Sequence, residues 1–222
     1  MSTDVGPGAA AATTTGHAAF APIAVGAVAG LAWAAGFRGF MVEIAGPEST
    51  VEWIGTFVGI LLPGFVTGAL LGWAEHLRQT GGRRGWRWLA LAPLAFVAAT
   101  PGVLVSVFTE GGIGGGAIAV PLFAMAGGYA VSGRGHAWAR AVAGAVALVP
   151  IVGWTAAAAV VGGDRLALTT ARGAWVALLF SSFVAALALG CAIPHRTVVR
   201  RVEPAGSRPA GGTETDAPGV AT

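Results

Sequence analysis

Six long apolar runs constrain the fold of this chain more than any other feature. They cover residues 18–37, 53–74, 88–108, 116–132, 139–161 and 173–193. A helix needs about 20 apolar residues to cross the hydrocarbon core of a bilayer. Charged residues make up only 10% of the 222 residues, whereas soluble domains use about 25%. We therefore predict an all-α integral membrane protein, a bundle of six transmembrane helices.

The segments outside the apolar runs differ from them in composition. Residues 1–17 contain no Lys or Arg, so they lack the basic region that precedes the apolar core of a secretory signal. The first run is therefore predicted to be a retained span. The tail 194–222 is rich in Pro, Gly and Thr. Both terminal segments are predicted to be cytoplasmic and disordered, flanking a membrane domain at 18–193.

The basic residues of the chain, all of them Arg, give an orientation. Ten of the 13 lie in the second and fourth connections and in the tail, whereas Arg38, Arg165 and Arg172 lie on the other side. Because basic residues favour the cytoplasmic side, both termini are predicted to be cytoplasmic, in the plasma membrane. The absence of Lys and Asn, with abundant Ala, Gly and Arg, is typical of a GC-rich bacterial source.

This distribution also bears on partners. No basic stripe with interleaved aromatic residues occurs outside the spans, so nucleic acid is not an expected partner. The lipid bilayer is the expected partner, with a second copy of the chain or another membrane protein as a further one.

Residues 36–56 gather charge between the first two apolar runs. Arg38 lies where the first run continues through Val42, and it either extends to the membrane surface or pairs with Glu43 or Glu110. Acidic residues outnumber arginines on this side, which favours cations modestly. The candidate vestibule or ion-pair residues are Arg38, Glu43, Glu48, Glu52 and Glu110.

A second interpretation of this segment is structural. Ser49 and Glu52 have the spacing of a capping box, in which the two side chains satisfy backbone donors at a helix start. This pattern predicts that Glu52 caps the second span.

Small residues recur every four positions in the first two spans. Such spacing lines one face of a helix and lets another backbone approach closely. The sequence therefore predicts tight contact between these spans, with a hinge as the alternative role. The packing or hinge candidates are Gly26, Gly30, Gly55, Gly59, Pro63, Gly64, Gly68 and Gly72.

Two segments of the chain are similar at an offset of 87 residues. WLALAPLAFVAA at 88–99 matches WVALLFSSFVAA at 175–186 at seven of twelve positions. The same offset relates Pro63 to Pro150 and Arg78 to Arg165. The matched spans would cross in opposite directions, as in a 3+3 inverted repeat. Chance similarity between Ala-rich segments is the alternative.

The residue types that carry enzyme chemistry are scarce. The four histidines lie at or beyond span ends without metal-ligand spacing. Ser181 and Ser182 lie within a span that has no central His or Lys, so they are expected to bond to preceding carbonyls. Cys191 is the single cysteine and is expected to be buried. No catalytic residue, metal or cofactor is predicted, and an enzyme is disfavoured.

Three functions stay open on these grounds. The first is a small permease or channel-like protein with an outer acidic vestibule. The second is a structural or assembly subunit that packs against another membrane protein through its glycine faces. The third, less favoured, is a lipid-modifying membrane enzyme. The absence of ionisable groups from the middle of the spans argues against a proton-coupled pump.

Overall fold

The structure is a computed structural model that describes residues 7–98 and 115–199, with side chains for 19–98 and 118–199. Within these residues it is helical and contains no strand. The α-helices are α1 (Pro7–Ala45), α2 (Leu62–Gln79), α3 (Leu94–Ala98), α4 (Gly115–Val131), α5 (Ala137–Gly162) and α6 (Ala171–Ala192).

Four helical segments are long and apolar enough to cross a membrane. They are Ala19–Glu48, Trp53–Gln79, Ala137–Leu166 and Ala171–His195. A fifth segment, Ile118–Val131, is apolar but shorter. The structure thus supports an all-helical membrane protein with four candidate spans in its described part.

The third apolar run differs from a continuous helix. It begins as a 3₁₀ helix, Trp86–Leu91, and continues as α3, which is described from Leu94 to Ala98, while residues 99–114 lie outside the described part. Pro93 separates the two pieces because it has no N–H to donate. The hydroxyl of Thr67, on α2, donates to the carbonyl of Ala92 at 3.4 Å. The Ala92 carbonyl also accepts the backbone N–H of Ala95 at 3.0 Å, so the Thr67 bond ties α2 to the break as a second donor.

Helix α1 begins earlier than the sequence predicts. It starts at Pro7, so helix covers part of the segment 1–17 that is expected to be disordered. The run of alanines at 9–12 explains this, since Ala has the highest helix propensity.

The second span starts as a π-helix. Residues Trp53–Leu61 form this helix, and the amide of Leu62 donates to the carbonyl of Phe57, five residues earlier. Pro63 follows at the start of α2. Nine π-helical residues are unusual, because π-helices mostly occur as single turns and are frequent at functional sites.

Helices α1 and α2 meet backbone to backbone. A Cβ added to Gly26 would lie 2.8 Å from the Cα of Gly72, and one added to Gly30 would lie 2.7 Å from the Cα of Gly68. A Cβ on Gly64 would overlap the side chain of Ala34. Side chains larger than hydrogen therefore have no room at these glycines, and the close approach depends on them.

An aromatic cluster fills the middle of the bundle. Its rings come from α1, α3, α5 and α6, and neighbouring centroids lie 4.9–5.8 Å apart, mostly edge to face. The indole N–H of Trp33 donates to the carbonyl of Phe183 at 2.9 Å, which joins α1 to α6. The members are Trp33, Phe37, Phe40, Phe96, Trp154, Phe180 and Phe183.

Helix α5 lies at the periphery. Helix α4 packs between it and α6. Of the most apolar 18-residue stretch of Ala137–Leu166, only 6% is buried within the chain, against 39% for the corresponding stretch of Ala171–His195. Its valines are largely exposed, with Val152 at 63% and Val160 at 87%. Most of α5 is thus left uncovered by the other described helices.

Candidate functional site at Arg38

Arg38 continues the small-residue face of α1. Gly26, Gly30 and Ala34 lie four residues apart, and Arg38 is the next residue at that spacing. The face therefore changes from the smallest side chains to one of the largest within one turn. Beyond Ala34, α1 and the second span cannot maintain backbone contact, because the Arg38 side chain lies between them.

The Arg38 guanidinium is held by three acceptors on the chain that follows α1. Its NH1 group donates to the hydroxyl of Ser49 at 3.2 Å, its NH2 group to the carbonyl of Thr50 at 2.5 Å, and its Nε to the hydroxyl of Thr56 at 3.4 Å. A guanidinium has five N–H groups. Two of them, one on NH1 and one on NH2, are therefore unused within the described residues.

These contacts are not the ion pairs with Glu43 or Glu110 that the sequence suggested for Arg38. Neutral oxygens of the 49–56 segment, and not the carboxylate of Glu43, hold the guanidinium in place. Glu110 lies outside the described residues. The loop reverses at Gly46, whose φ of +63° suits glycine, and this reversal returns Ser49 and Thr50 toward α1.

An open cavity of about 360 Å³ lies beside Arg38. Its polar lining comes from Arg38, Ser49, Thr50, Glu52 and Thr56. Its apolar lining includes Met41 and Ala45 of α1, with Gly55 and Ile60 of the π-helix. The cavity thus presents a cation and a carboxylate together, against a wall of π-helix.

Glu52 does not cap the second span, and the capping-box prediction is wrong. Glu52 occupies the N-cap position with extended dihedral angles, but its side chain makes no capping hydrogen bond. The hydroxyl of Ser49, the other half of the predicted box, accepts from Arg38 instead. The charged donor takes the hydroxyl because charge-assisted hydrogen bonds are the stronger ones. The Glu52 carboxylate is left at the cavity.

Glu43 pairs with an arginine from another helix. Its carboxylate accepts from Arg172 Nε at 2.8 Å, and the two side chains are 26% and 52% exposed. Arg165 lies nearby, donating to the carbonyl of Ile44 and to that of Gly162. Since the last carbonyls of a helix lack intrahelical donors, Arg165 satisfies the end of α1. These contacts attach α1 to both ends of the α5–α6 connection.

The remaining predicted residues lie apart from the cavity or at its edge. Glu48 is exposed at the end of the short 3₁₀ helix Gly46–Glu48. A Cβ added to Gly55 would meet nothing within 4 Å, and one added to Gly59 would meet only the carbonyl of Ile54 in its own helix. Pro63 is buried at the start of α2.

A second cavity, of about 290 Å³, lies between α1, α2 and α6. Its lining is almost entirely apolar, apart from Thr67 and Glu75. Thr67 donates to Ala92, and Glu75 accepts from Arg78 at 2.6 Å and from Gln79 at 2.6 Å. With both polar groups engaged, this cavity offers less chemistry than the one at Arg38.

Other reactive side chains are engaged in local structure. Ser181 donates to the carbonyl of Ala177 and Ser182 to that of Leu179, each at 2.8 Å. This confirms the prediction that these hydroxyls bond to preceding carbonyls. Cys191 is buried against Gly128. Among the described residues, no three His, Cys, Asp or Glu side chains converge as metal ligands would.

The sequence did not identify the acceptors of Arg38. Thr56 is 7% exposed and lies on the second span, while Ser49 and Thr50 precede it in the connecting loop. The four-residue spacing of the second span could have indicated Thr56. Counting back from Gly72 in steps of four gives Gly68, Gly64, Ile60 and Thr56. This face of the second span is the one that α1 contacts, so it places Thr56 opposite Arg38.

Comparisons of the chain with protein-family models, with curated proteins and with solved structures give no match.

Proposed function

We propose that this chain is a small permease or channel-like protein that takes up a small polar solute at the Arg38 cavity. The observation that carries the proposal is that Arg38 and Glu52 line one open cavity against the π-helical start of the second span. An assembly subunit that packs through its glycine faces would need no such cavity.

The chemistry of the cavity indicates the kind of solute. Two N–H groups of Arg38 have no acceptor among the described residues and can bind an anionic group of the solute, and the Glu52 carboxylate can accept from a cationic or hydroxyl group. A small zwitterion or a hydroxylated anion fits this pair better than an apolar molecule does.

The structure corresponds to a closed state in this proposal. Ile60 lines the cavity and also packs against the core cluster that holds the aromatic rings. A solute must pass this cluster to cross. The π-helix is the segment expected to move, because its backbone already departs from the regular α-helical ladder.

The wider organisation follows the sequence. The third and fourth apolar runs complete six spans, arranged as a 3+3 inverted repeat, in the plasma membrane of a bacterium. Both termini are cytoplasmic, so that the Arg38 cavity opens outward. The clustering of Glu43, Arg165 and Arg172 at the same end as Arg38 supports a common side for these connections. The described halves are not alike, however: Pro63 follows a π-helix, whereas Pro150 lies within α5.

Uptake into proteoliposomes tests the proposal. The full chain is reconstituted, and influx of a small inorganic anion, a small zwitterion and a monovalent cation is compared with influx into empty vesicles. We expect the zwitterion or the anion to enter through the wild-type protein. Arg38→Gln and Glu52→Gln should each reduce this influx at least about tenfold, the effect of losing one charged hydrogen bond in binding.

Glu48→Gln is the matched control, since Glu48 is an exposed acid of the same loop that does not line the cavity. It should leave influx unchanged. Wild-type influx equal to that of empty vesicles for every solute would contradict the proposal, as would equal losses in Glu48→Gln and Glu52→Gln.

The exposed face of α5 favours a second candidate, a structural subunit that assembles through this helix. The most apolar 18-residue stretch of this helix is only 6% buried within the chain, and a Cβ added to Gly153 would meet no described residue within 4 Å. The glycines of α1 and α2 contact each other and so do not offer that surface. In a Cys191→Ala background, Val152→Cys should form disulfide-linked dimers in membranes if α5 joins two copies. Exclusively monomeric protein would remove assembly of two copies through this face.

A further inference from the structure

The end of the bundle opposite Arg38 carries an open notch that is lined by arginine and tryptophan residues and whose surface is mostly apolar. A cavity of about 540 Å³ is lined by Arg83, Trp86, Arg87 and Trp88, with Gly85, Ala90 and Leu91. We refer to it as the basic notch. It lies at the start of the third apolar run, where the chain passes from a polar loop into apolar sequence.

Arginines from two separate connections, and the half-buried His195 from a third, lie near one another at this end of the bundle. Arg87 follows α2, Arg134 lies between α4 and α5, and His195 ends the 3₁₀ turn after α6. Arg87 and Arg134 both lie close enough to His195 for their charges to act on it. Positive charge is therefore concentrated by the fold and not only by the sequence of one loop.

The carboxylates that the structure describes do not neutralise this charge. Of the acids that the structure describes, only Glu75 lies at this end, and it is engaged by Arg78 and Gln79. The guanidinium groups of Arg83, Arg87 and Arg134 have no ion pair or hydrogen bond with any described residue. Arg38, Arg165 and Arg172 at the other end are all engaged.

The two tryptophans place the notch at the membrane surface. Trp86 is 8% exposed and packs with Ala74 and Leu77 of α2, whereas Trp88 is 75% exposed. Tryptophan concentrates at the interface between water and hydrocarbon. An anion bound by Arg83 and Arg87 would therefore lie at headgroup depth, beside the apolar residues Leu89–Leu91 that would face acyl chains.

We propose that the basic notch binds the phosphodiester of an anionic phospholipid in the adjacent leaflet. Arg83 and Arg87 supply charge-assisted hydrogen bonds to the phosphate oxygens, and Trp88 packs beside the glycerol and upper acyl region. A lipid is favoured over a soluble anion or a nucleic acid because the notch is continuous with the apolar start of the third run.

Native mass spectrometry of the full chain in mixed micelles tests this inference. Phosphatidylglycerol and phosphatidylcholine with identical acyl chains are supplied at equal concentration, and the retained lipids are counted. We expect preferential retention of phosphatidylglycerol. Arg87→Gln should lower that preference about tenfold, the effect of losing one charge-assisted hydrogen bond to the phosphate, and 1 M salt should lower it further.

Arg84→Gln is the matched control, because it removes the same charge from the same loop but Arg84 does not line the notch. It should retain the wild-type preference. Arg83→Gln provides a second test if Arg87→Gln fails to give monodisperse helical protein. Equal retention of the two lipids by the wild type would overturn the proposal. So would equal losses in Arg84→Gln and Arg87→Gln, displacement of lipid by equimolar inorganic phosphate, or preferential binding of a single-stranded oligonucleotide over phosphatidylglycerol.

Discussion

The two parts of the second span carry similar glycines and behave differently. In α2, Gly64, Gly68 and Gly72 contact the backbone or small side chains of α1. In the π-helix before it, a Cβ added to Gly55 would meet no described residue within 4 Å, and one added to Gly59 would meet only the carbonyl of Ile54 in its own helix. Glycines at four-residue spacing thus allow close packing but do not produce it without an equally small face opposite.

The face of α1 determines where the contact ends. Gly26, Gly30 and Ala34 are small, and Arg38 comes next. Opposite Arg38, the second span presents Thr56 and Ile60 in place of a glycine. The large side chain of Arg38 separates the helices, and the space between them is the cavity. The site is therefore a consequence of one residue in an otherwise small-residue face.

The largest loss of stability should follow from enlarging a glycine in α2, where the backbones of α1 and α2 are in contact. In Gly68→Leu, the new Cβ would lie within 2.7 Å of the Cα of Gly30, and neither backbone can yield locally. We expect the free energy of unfolding to fall by about 3 kcal/mol or more, at the upper end of overpacking effects. Titration of the micellar protein with a denaturing detergent measures it. Gly55→Leu is the matched control and should cost far less, because a Cβ there meets open space; equal losses would contradict the difference between the two parts.

A smaller loss of stability should follow from removing the Arg38 side chain, which separates α1 from the π-helix. Arg38→Ala deletes three hydrogen bonds to the 49–56 segment. Since the site is partly solvated, we expect a loss of about 1–2 kcal/mol. Hydrogen exchange should accelerate in residues 49–61 and remain unchanged in 64–72. Uniform acceleration along the second span would show that Arg38 supports the whole helix pair.

The sequence shows that small residues repeat every four positions, but it does not show which residues before Pro63 continue the same helix face. Gly55 and Gly59 are four residues apart, but each precedes by one position a residue of the face that meets α1. Those residues are Thr56 and Ile60. The π-helix, which alters the number of residues per turn, has no sequence signal comparable to a glycine repeat. For this reason the position of Arg38 near the membrane end could be predicted, whereas its acceptors could not.

The pair of Glu43 and Arg172 should contribute little. Both groups are partly exposed, and pairs of this kind are typically worth below about 1 kcal/mol. A double-mutant cycle of Glu43→Gln and Arg172→Gln measures the coupling. A coupling energy well above that value would mean that this pair, and not the Arg38 contacts, maintains the geometry of the connections.

The smallest effect on stability should come from Glu52→Ala. Its side chain makes no capping hydrogen bond, so we expect a loss below about 0.5 kcal/mol. A true N-cap would cost about 1 kcal/mol. Thermal unfolding of the variant distinguishes the two values, and the higher one would restore the capping role that the sequence predicts.

Interactions between distant segments set the limit of sequence interpretation here. The spacing of Ser49 and Glu52 is that of a capping box, but Arg38 takes the Ser49 hydroxyl. The third apolar run has the composition of a span, yet Pro93 divides its start into a 3₁₀ helix and a short α-helix. Glu43 meets Arg172, which is 129 positions away. Composition predicts the helical membrane class because burial in lipid depends on composition, whereas these pairings depend on tertiary approach.

Accessibility of single cysteines along the second span tests the central claim most directly. In a Cys191→Ala background, Ile60→Cys places a thiol at the cavity, and Thr67→Cys places one two turns further along, where Thr67 contacts Ala92. A membrane-impermeant maleimide should label Ile60→Cys in intact membranes, because that residue lines the open cavity. It should not label Thr67→Cys, because that residue is 2% exposed. Equal protection of both thiols would contradict a water-filled cavity at Arg38.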